Sequence, residues 1–336
     1  MAIVISPKIR LVIADADTTD FNFAVNKATE ISVLKGIKVD RSMLSMVGPA
    51  SRVSATSNRV ATSINTGYGS VNFTFDTYMK PVTDSGNVTS PEKLLWESLS
   101  ATNVSDTATT STVAFTSGNT NKLRELYFYI IFDDGSYYKI SKAVAVSVNI
   151  SLDIKQIAKA SWSFLGLDLD YITTPATETS VKDLTSSTFI RNKLSTVSID
   201  SYVLAILKGN IIIRNNVSLI SRQRVGEILI PTGHYVGDRS SELNLSFYLD
   251  NKINGSTQLM SDLLAYTSLA GVNTLSNTTL SIGGTTNALK VDVNMPTSKI
   301  KLKNPTVGVF NTVDVTLIPQ EATKGAGDEI NLVYNN

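Results

Sequence analysis

The chain has 336 residues, 42% of them hydrophobic and 18% charged, which is enough apolar material for a core and too little charge for disorder. Its 30 basic and 29 acidic residues leave a formal charge of +1, without the concentrated basic field that grips a polyanion. With no cysteine it has no disulfide framework and no thiolate chemistry, and neither a signal peptide nor a membrane span is expected from its apolar runs.

In chain order, the first landmark is VLKGIKVDRSMLS at 33–45, a strand-like run in which Lys35 and Gly36 precede Arg41. Gly inside such a run marks a bulge or a close backbone approach. The other reading makes these residues contacts at a subunit or ring boundary. A long loop is expected from Val47 to Gly69. Residues 71–76 then alternate Val71, Phe73 and Phe75 with Asn72, Thr74 and Asp76, the period of a sheet with one buried face.

Ser90-Pro91-Glu92 is a helix start, with a capping hydroxyl, a proline in first position and an acid in the first turn. Leu95 and Leu99 give that helix one apolar face. A Thr/Ser-rich insertion at 102–120 follows. LYFYIIF and SYYKI, within 126–140, form a hairpin turning on Asp133, Asp134 and Gly135. From Val144 to Lys155 an even alternation sets Val146, Val148 and Ile150 against Ser147 and Asn149. The stretch YITTPATETSVKDLTSS at 171–187 has the composition of a linker.

The landmarks then return. VLKG…R…S recurs as ILKGNIIIRNNVS at 206–218, bringing Lys208, Gly209 and Arg214. VNFTF at 71–75 recurs as LNLSF at 243–247, LLWESL at 94–99 as LMSDLL at 259–264, and VSVNI at 146–150 as VDVNM at 291–295. The offsets, 173, 172, 165 and 145 residues, fall steadily, as shorter loops in a second copy require. The expectation is a mostly β protein made of two tandem antiparallel β-sandwich or half-barrel domains, each with one short helix. They would span residues 1–167 and 191–336, with a linker at 168–190.

No constellation for catalysis stands out. The single histidine, His234, follows Pro-Thr-Gly and is expected to be an exposed loop imidazole. There is no G-x-S-x-G elbow, no histidine pair and no EF-hand pattern, and SIGGTT at 281–286 lacks the lysine of a phosphate loop and suits a hairpin turn. Asp15 with Asp17, and Asp133 with Asp134, suit turn acids better than a catalytic pair. Trp96 and Trp162 suit core or interface anchors. No enzyme activity, cofactor or metal is expected.

The stretch from Ile31 to Ala101 combines SVNFTFDTYMKP at 70–81 with SPEKLLWESL at 90–99. This combination resembles the tail tube (major tail) proteins of long-tailed bacteriophages, in a duplicated-domain form. The second copy lacks the Pro and the Trp. The resemblance implies trimeric rings of pseudo-sixfold symmetry, stacked into a hollow tube through which DNA passes without specific binding. It implies a virion protein assembled in the host cytoplasm, with the tape measure, terminator and baseplate proteins as further partners and no membrane. A hydrated, neutral to acidic lumen wall would be lined by Asn72, Thr74 and Asp76 with Asn244, Ser246 and Tyr248, and by Ser147 and Asn149 with Asp292 and Asn294. Loops at Val47–Gly69 and Leu219–Arg239 would be arms reaching neighbouring subunits. The alternatives are another ring- or tube-forming tail or baseplate component, or a bacterial surface β-protein such as an adhesin or surface-layer subunit.

Overall fold

The structure is a computed structural model that describes residues 9–18, 23, 27–34, 36–47, 63–116, 123–174, 181–184, 189–221, 231–267, 275–283, 289–302 and 311–336. It is mostly β, as expected, with two α-helices among the described residues.

The first half runs β1 (Arg10–Ala14), β2 (Ala28–Ile31), β3 (Lys38–Val47), β4 (Ser63–Tyr78), β5 (Val82–Asp84), β6 (Asn87–Thr89) and helix α1 (Lys93–Ser100). It continues through β7 (Ser105–Asp106), β8 (Thr110–Ala114), β9 (Leu126–Ile131), β10 (Tyr137–Ser151), β11 (Lys159–Gly166), β12 (Asp168–Ile172) and β13 (Lys182–Asp183). The second half runs β14 (Thr196–Ile199), β15 (Tyr202–Ser221), β16 (Pro231–Tyr248), helix α2 (Ser256–Thr267), β17 (Leu275–Ile282), β18 (Lys290–Leu302), β19 (Thr312–Gln320) and β20 (Asn331–Asn335). The expected linker at 168–190 thus carries β12 and β13, which pair with β10 and β2 of the first half.

In the second half the pairings run β14, β15, β16, β19, β18, β17 and back to β14, a closed antiparallel circuit. The first half follows a matching order, β3, β4, β11, β10, β9, β1, β2. There β2 takes the short parallel strand β13 on its other side. Each half also hangs one more strand at the same place, β12 on β10 and β20 on β18. The halves join where β10 pairs β15, from Ser147↔Arg214 to Ser151↔Asn210, and where β8 pairs β20.

One apolar core runs through both halves, from Phe73, Trp96 and Trp162 to Leu243, Val293 and Leu332. Phe73, Phe128 and Phe164 lie with ring centroids 4.6 to 5.3 Å apart, at the distances where aromatic edges and faces attract. Trp96 meets Trp162 edge-on at 4.8 Å and donates its indole N–H to the Tyr334 hydroxyl at 2.8 Å. Both tryptophans are core anchors.

Several local expectations shift. Helix α1 starts at Lys93. Ser90 holds the turn before it, accepting the Glu92 N–H at 3.2 Å and donating to the Glu92 carboxylate at 2.7 Å. The 126–140 hairpin forms as expected, with Gly135 at φ +81° in its turn. The even alternation from Val144 to Lys155 does not hold. A bulge between Ala145 and Ser147 moves the core face from Ala143 and Ala145 to Val148, Ile150 and Leu152. The strand ends at Ser151.

The fourth repeat landmark is also displaced. Residues 147–150 pair with β11 and β15, whereas 291–294 pair with β17 and β20. The corresponding neighbours in the first half, β9 and β12, pair around Tyr138 instead. The expected loop at Leu219–Arg239 is strand at 219–221 and 231–239, where β15 and β16 stay paired out to Ser221↔Pro231, and 222–230 lie outside the described residues. The expected loop at Val47–Gly69 is strand from Ser63 onward, and 48–62 lie outside the described residues.

Candidate functional site: a polar wall across both halves

Pleating puts successive side chains on opposite faces, so a strand with one apolar series presents a polar series on its other side. In the continuous sheet β3, β4, β11, β10, β15, β16, β19, β18 these polar series coincide across the joint. One row reads Tyr78, Lys159, Ser151, Asn210, Asn244, Thr316, Lys301, each residue opposite the next. The next row reads Asp76, Ser161, Asn149, Ile212, Glu242, and the one beyond it Lys38, Thr74, Ser163, Ser147, Arg214, Ser240, so that Ile212 is the apolar exception. Behind them Phe73, Trp162, Ile150, Ile211, Leu243 and Leu317 are buried.

The wall is stitched by its own side chains. Thr316 Oγ1 donates to Asn244 Oδ1 at 2.7 Å, Ser246 Oγ donates to Asp314, and Asn210 Nδ2 reaches Asn149 Oδ1 at 3.4 Å. Charges of both signs interleave, with Lys159 placed 3.7 Å from Asp76 and Lys208 paired in register with Ser246. Lys38, Lys159, Lys208, Arg214 and Lys301 stand among Asp76, Glu242 and Asp314, so the face is mixed rather than acidic.

The expected lumen residues divide. Asn72, Thr74, Asp76, Ser147, Asn149, Asn244, Ser246 and Tyr248 share this face. Asp292 and Asn294 do not. Their stretch of β18 pairs with β17 and β20, outside the sheet of the wall, which β18 joins only over Thr297–Leu302 against β19. Asp292 instead accepts from Ser281 Oγ at 2.6 Å and Asn335 Nδ2 at 3.1 Å, and Asn294 meets Asn331 at 3.3 Å. The correspondence between these two and Ser147 with Asn149 therefore fails.

The expected boundary residues divide as well. Lys35 lies outside the described residues. Gly36 is exposed at φ +112°, a conformation that favours glycine. Arg41 is turned inward on its own half. It pairs with Asp168 at 2.6 Å, donates to the Leu169 carbonyl at 3.0 Å and lies 4.1 Å over the Tyr68 ring. Lys208 and Arg214 are exposed on the wall. Gly209 sits at the joint between the halves. Its carbonyl accepts the Leu152 N–H at 2.9 Å, and a Cβ there would lie 2.6 Å from the Asn244 carbonyl oxygen.

His234 is not an exposed loop imidazole. It lies in β16 opposite Leu219, its side chain is 4% exposed, and Nε2 sits 3.1 Å from the Leu165 carbonyl of β11. The β15–β16 hairpin is thereby laid against the first half. Sequence reasoning also missed Asn215, whose amide bridges the halves by donating to the carbonyls of Leu99 and Ala145 at 3.0 and 3.2 Å. No local pattern marks either contact, because the partners lie 69 to 116 residues away. Among the described residues no His/Asp/Glu cluster could hold a metal ion, and no helix is long and apolar enough to cross a membrane.

A sheet whose polar rows cross both halves, with an apolar back and strands joined edge to edge, is the architecture of a β-rich protein suited to lateral assembly. The chain is similar to the tail tube protein pb6 of Escherichia phage T5, 27% identical over 224 residues that cover 60% of this chain and 48% of that protein. The chain thus spans about half the length of the curated relative it matches. No family model matches. The likeness supports the tail tube resemblance drawn from residues 31–101.

Proposed function

We propose that this chain is a structural subunit of a phage tail tube in the virion, and that its two halves are diverged copies of one tail-tube domain. Three chains form a ring with six similar sheets, rings stack, and the polar wall faces the channel that DNA crosses on ejection. The observation that carries this reading is the β10–β15 joint, which makes the polar rows of both halves one surface. A tube built by repeating that joint has no open strand edges around its circumference.

A mixed, hydrated wall suits passage, since binding DNA tightly needs an uninterrupted set of lysine and arginine contacts to phosphate. The domains of this reading are 1–167 and 191–336, and the 168–190 linker between them adds β12 and β13 to the sheets of the first. Assembly takes place in the host cytoplasm, and the tape measure, terminator and baseplate proteins cap or fill the tube. Electron microscopy of the purified protein tests the proposal. Rings or tubes with threefold or pseudo-sixfold symmetry are expected, and a persistent monomer at every protein and salt concentration would overturn it.

A further inference from the structure

The joint inside the chain has a template for the joint between chains. On its first-half side stand α1, the β5–β6 hairpin and β8. On its second-half side stands β20, the last strand of the chain. Trp96 of α1 donates to Tyr334, Thr83 of the hairpin accepts from the Asn336 amide at 2.7 Å, and Val113 of β8 lies opposite Leu332. Under that cover Leu332 and its β18 neighbour Val293 are fully buried.

The counterpart of β20 in the first half is β12, since each is the extra strand on the long strand that pairs β9 or β17. The bulges align the two registers, one following the Phe128↔Ile140 pair and the other the Thr278↔Met295 pair. Two residues before them Ile130 of β9 opposes Tyr138, which opposes Tyr171, as Leu280 of β17 opposes Val293, which opposes Leu332. Tyr138 and Tyr171 therefore occupy the places of Val293 and Leu332. Yet they are 36% and 55% exposed, their rings tilted against each other with centroids 5.2 Å apart, and with Phe132 5.4 Å from Tyr138. The counterparts of α1 and the β5–β6 hairpin are α2 and the turn before it. There Ile253 is 92% exposed and Leu264 59% exposed, and Val203, bonded through its N–H to Asn254, is 62% exposed.

We infer that α2 and the Ile253 turn of one chain seat on the Tyr138–Tyr171 edge of the next copy, repeating between chains the cover that α1 and the β5–β6 hairpin give β20 within one. Each half thus exposes one apolar surface of this kind, and a head-to-tail contact between the two, repeated at a closing rotation, forms a ring. The inference rests on the ring reading above and names the surface by which the ring closes.

The cysteine-free chain makes the test direct. Ile253→Cys and Tyr171→Cys are made in separate chains, mixed, assembled and treated with a short-arm bismaleimide. Covalent dimers between the two kinds of chain are expected, and the double variant should give a ladder that ends at the ring's subunit number. Rings without a cross-link would overturn the inference and leave the tube reading standing. No rings from the unsubstituted protein would overturn both. As a second measurement, Ile253→Asp and Tyr171→Asp, both on exposed side chains, should keep the parent melting temperature while ring formation falls at least tenfold. Undiminished ring formation would overturn the inference.

Discussion

Helices α1 and α2 follow corresponding strands, β4 and β16, yet one is core and the other is surface. Every residue of α1 from Leu94 to Ser100 is buried, including Glu97, Ser98 and Ser100 on the faces that an amphipathic helix leaves to water. Those polar groups are satisfied, Ser100 locally through Thr102 and the other two by residues beyond the helix. Ser98 donates to the Arg124 carbonyl at 2.8 Å and accepts the Ala145 N–H at 3.1 Å, while Glu97 accepts the Val104 N–H at 3.1 Å. On α2, Leu259 and Leu263 are buried while Leu264 is 59% exposed. The cause lies outside the helices. The Thr/Ser-rich insertion supplies β7 and β8 after α1, and β20 completes the cover. The lesson is that strand order is shared between the halves, whereas helix burial depends on what each half places over it.

The strongest way to break this comparison is Trp96→Ala. Removing a fully buried indole that also bonds Tyr334 should cost about 3–5 kcal/mol, against less than about 0.5 kcal/mol for Leu264→Ala, read from denaturant unfolding. Equal costs would mean that the helices are equally embedded.

The turn before α1 offers a second test. Burial pushes the Glu92 carboxyl up to about 7, against the lowering effect of the Ser90 hydroxyl and of Lys80. The folded state then keeps a proton that the unfolded chain releases near the ordinary value of 4.5. Stability present below that value is lost as pH rises toward about 7, by on the order of 3 kcal/mol for a shift of this size. Glu92→Gln should flatten the melting temperature between those limits. A parent profile rising with pH there, or one unchanged by the substitution, would contradict this account.

The joint itself is probed by Gly209→Val, whose branched side chain meets the Asn244 carbonyl and should destabilise by about 1–3 kcal/mol. A Cβ at Gly36 would meet no atom within 4 Å, so the cost of Gly36→Ala is confined to the positive φ. A smaller gain is expected from Ala101→Gly. Ala101 ends α1 at φ +59°, and glycine there should stabilise by up to about 1 kcal/mol, raising the melting temperature slightly.

Some of this was legible in the residues. Alternation at 71–76 and 243–247 identified strands with one polar and one apolar face, and that face is the wall. The 126–140 hairpin was legible from its turn residues. The second and third recurring landmarks fall on elements at matching places, β4 with β16 and α1 with α2. The first lies on β3 and β15 but three residues out of register, Lys38 facing Thr74 as Lys208 faces Ser246. In the fourth, VSVNI and VDVNM share letters but not neighbours. The same displacement removed Asp292 and Asn294 from the wall.

By itself the sequence determined that the chain is mostly β, where its strands are polar on one side, and that strand and helix recur in order. These follow from local periodicity, which each strand carries within itself. Only the tertiary structure decided which polar faces join into one wall, which helix is covered and which glycine sits at the joint. Those outcomes depend on pairings between distant residues and on single bulges, and one extra residue in a strand turns every later side chain to the other face.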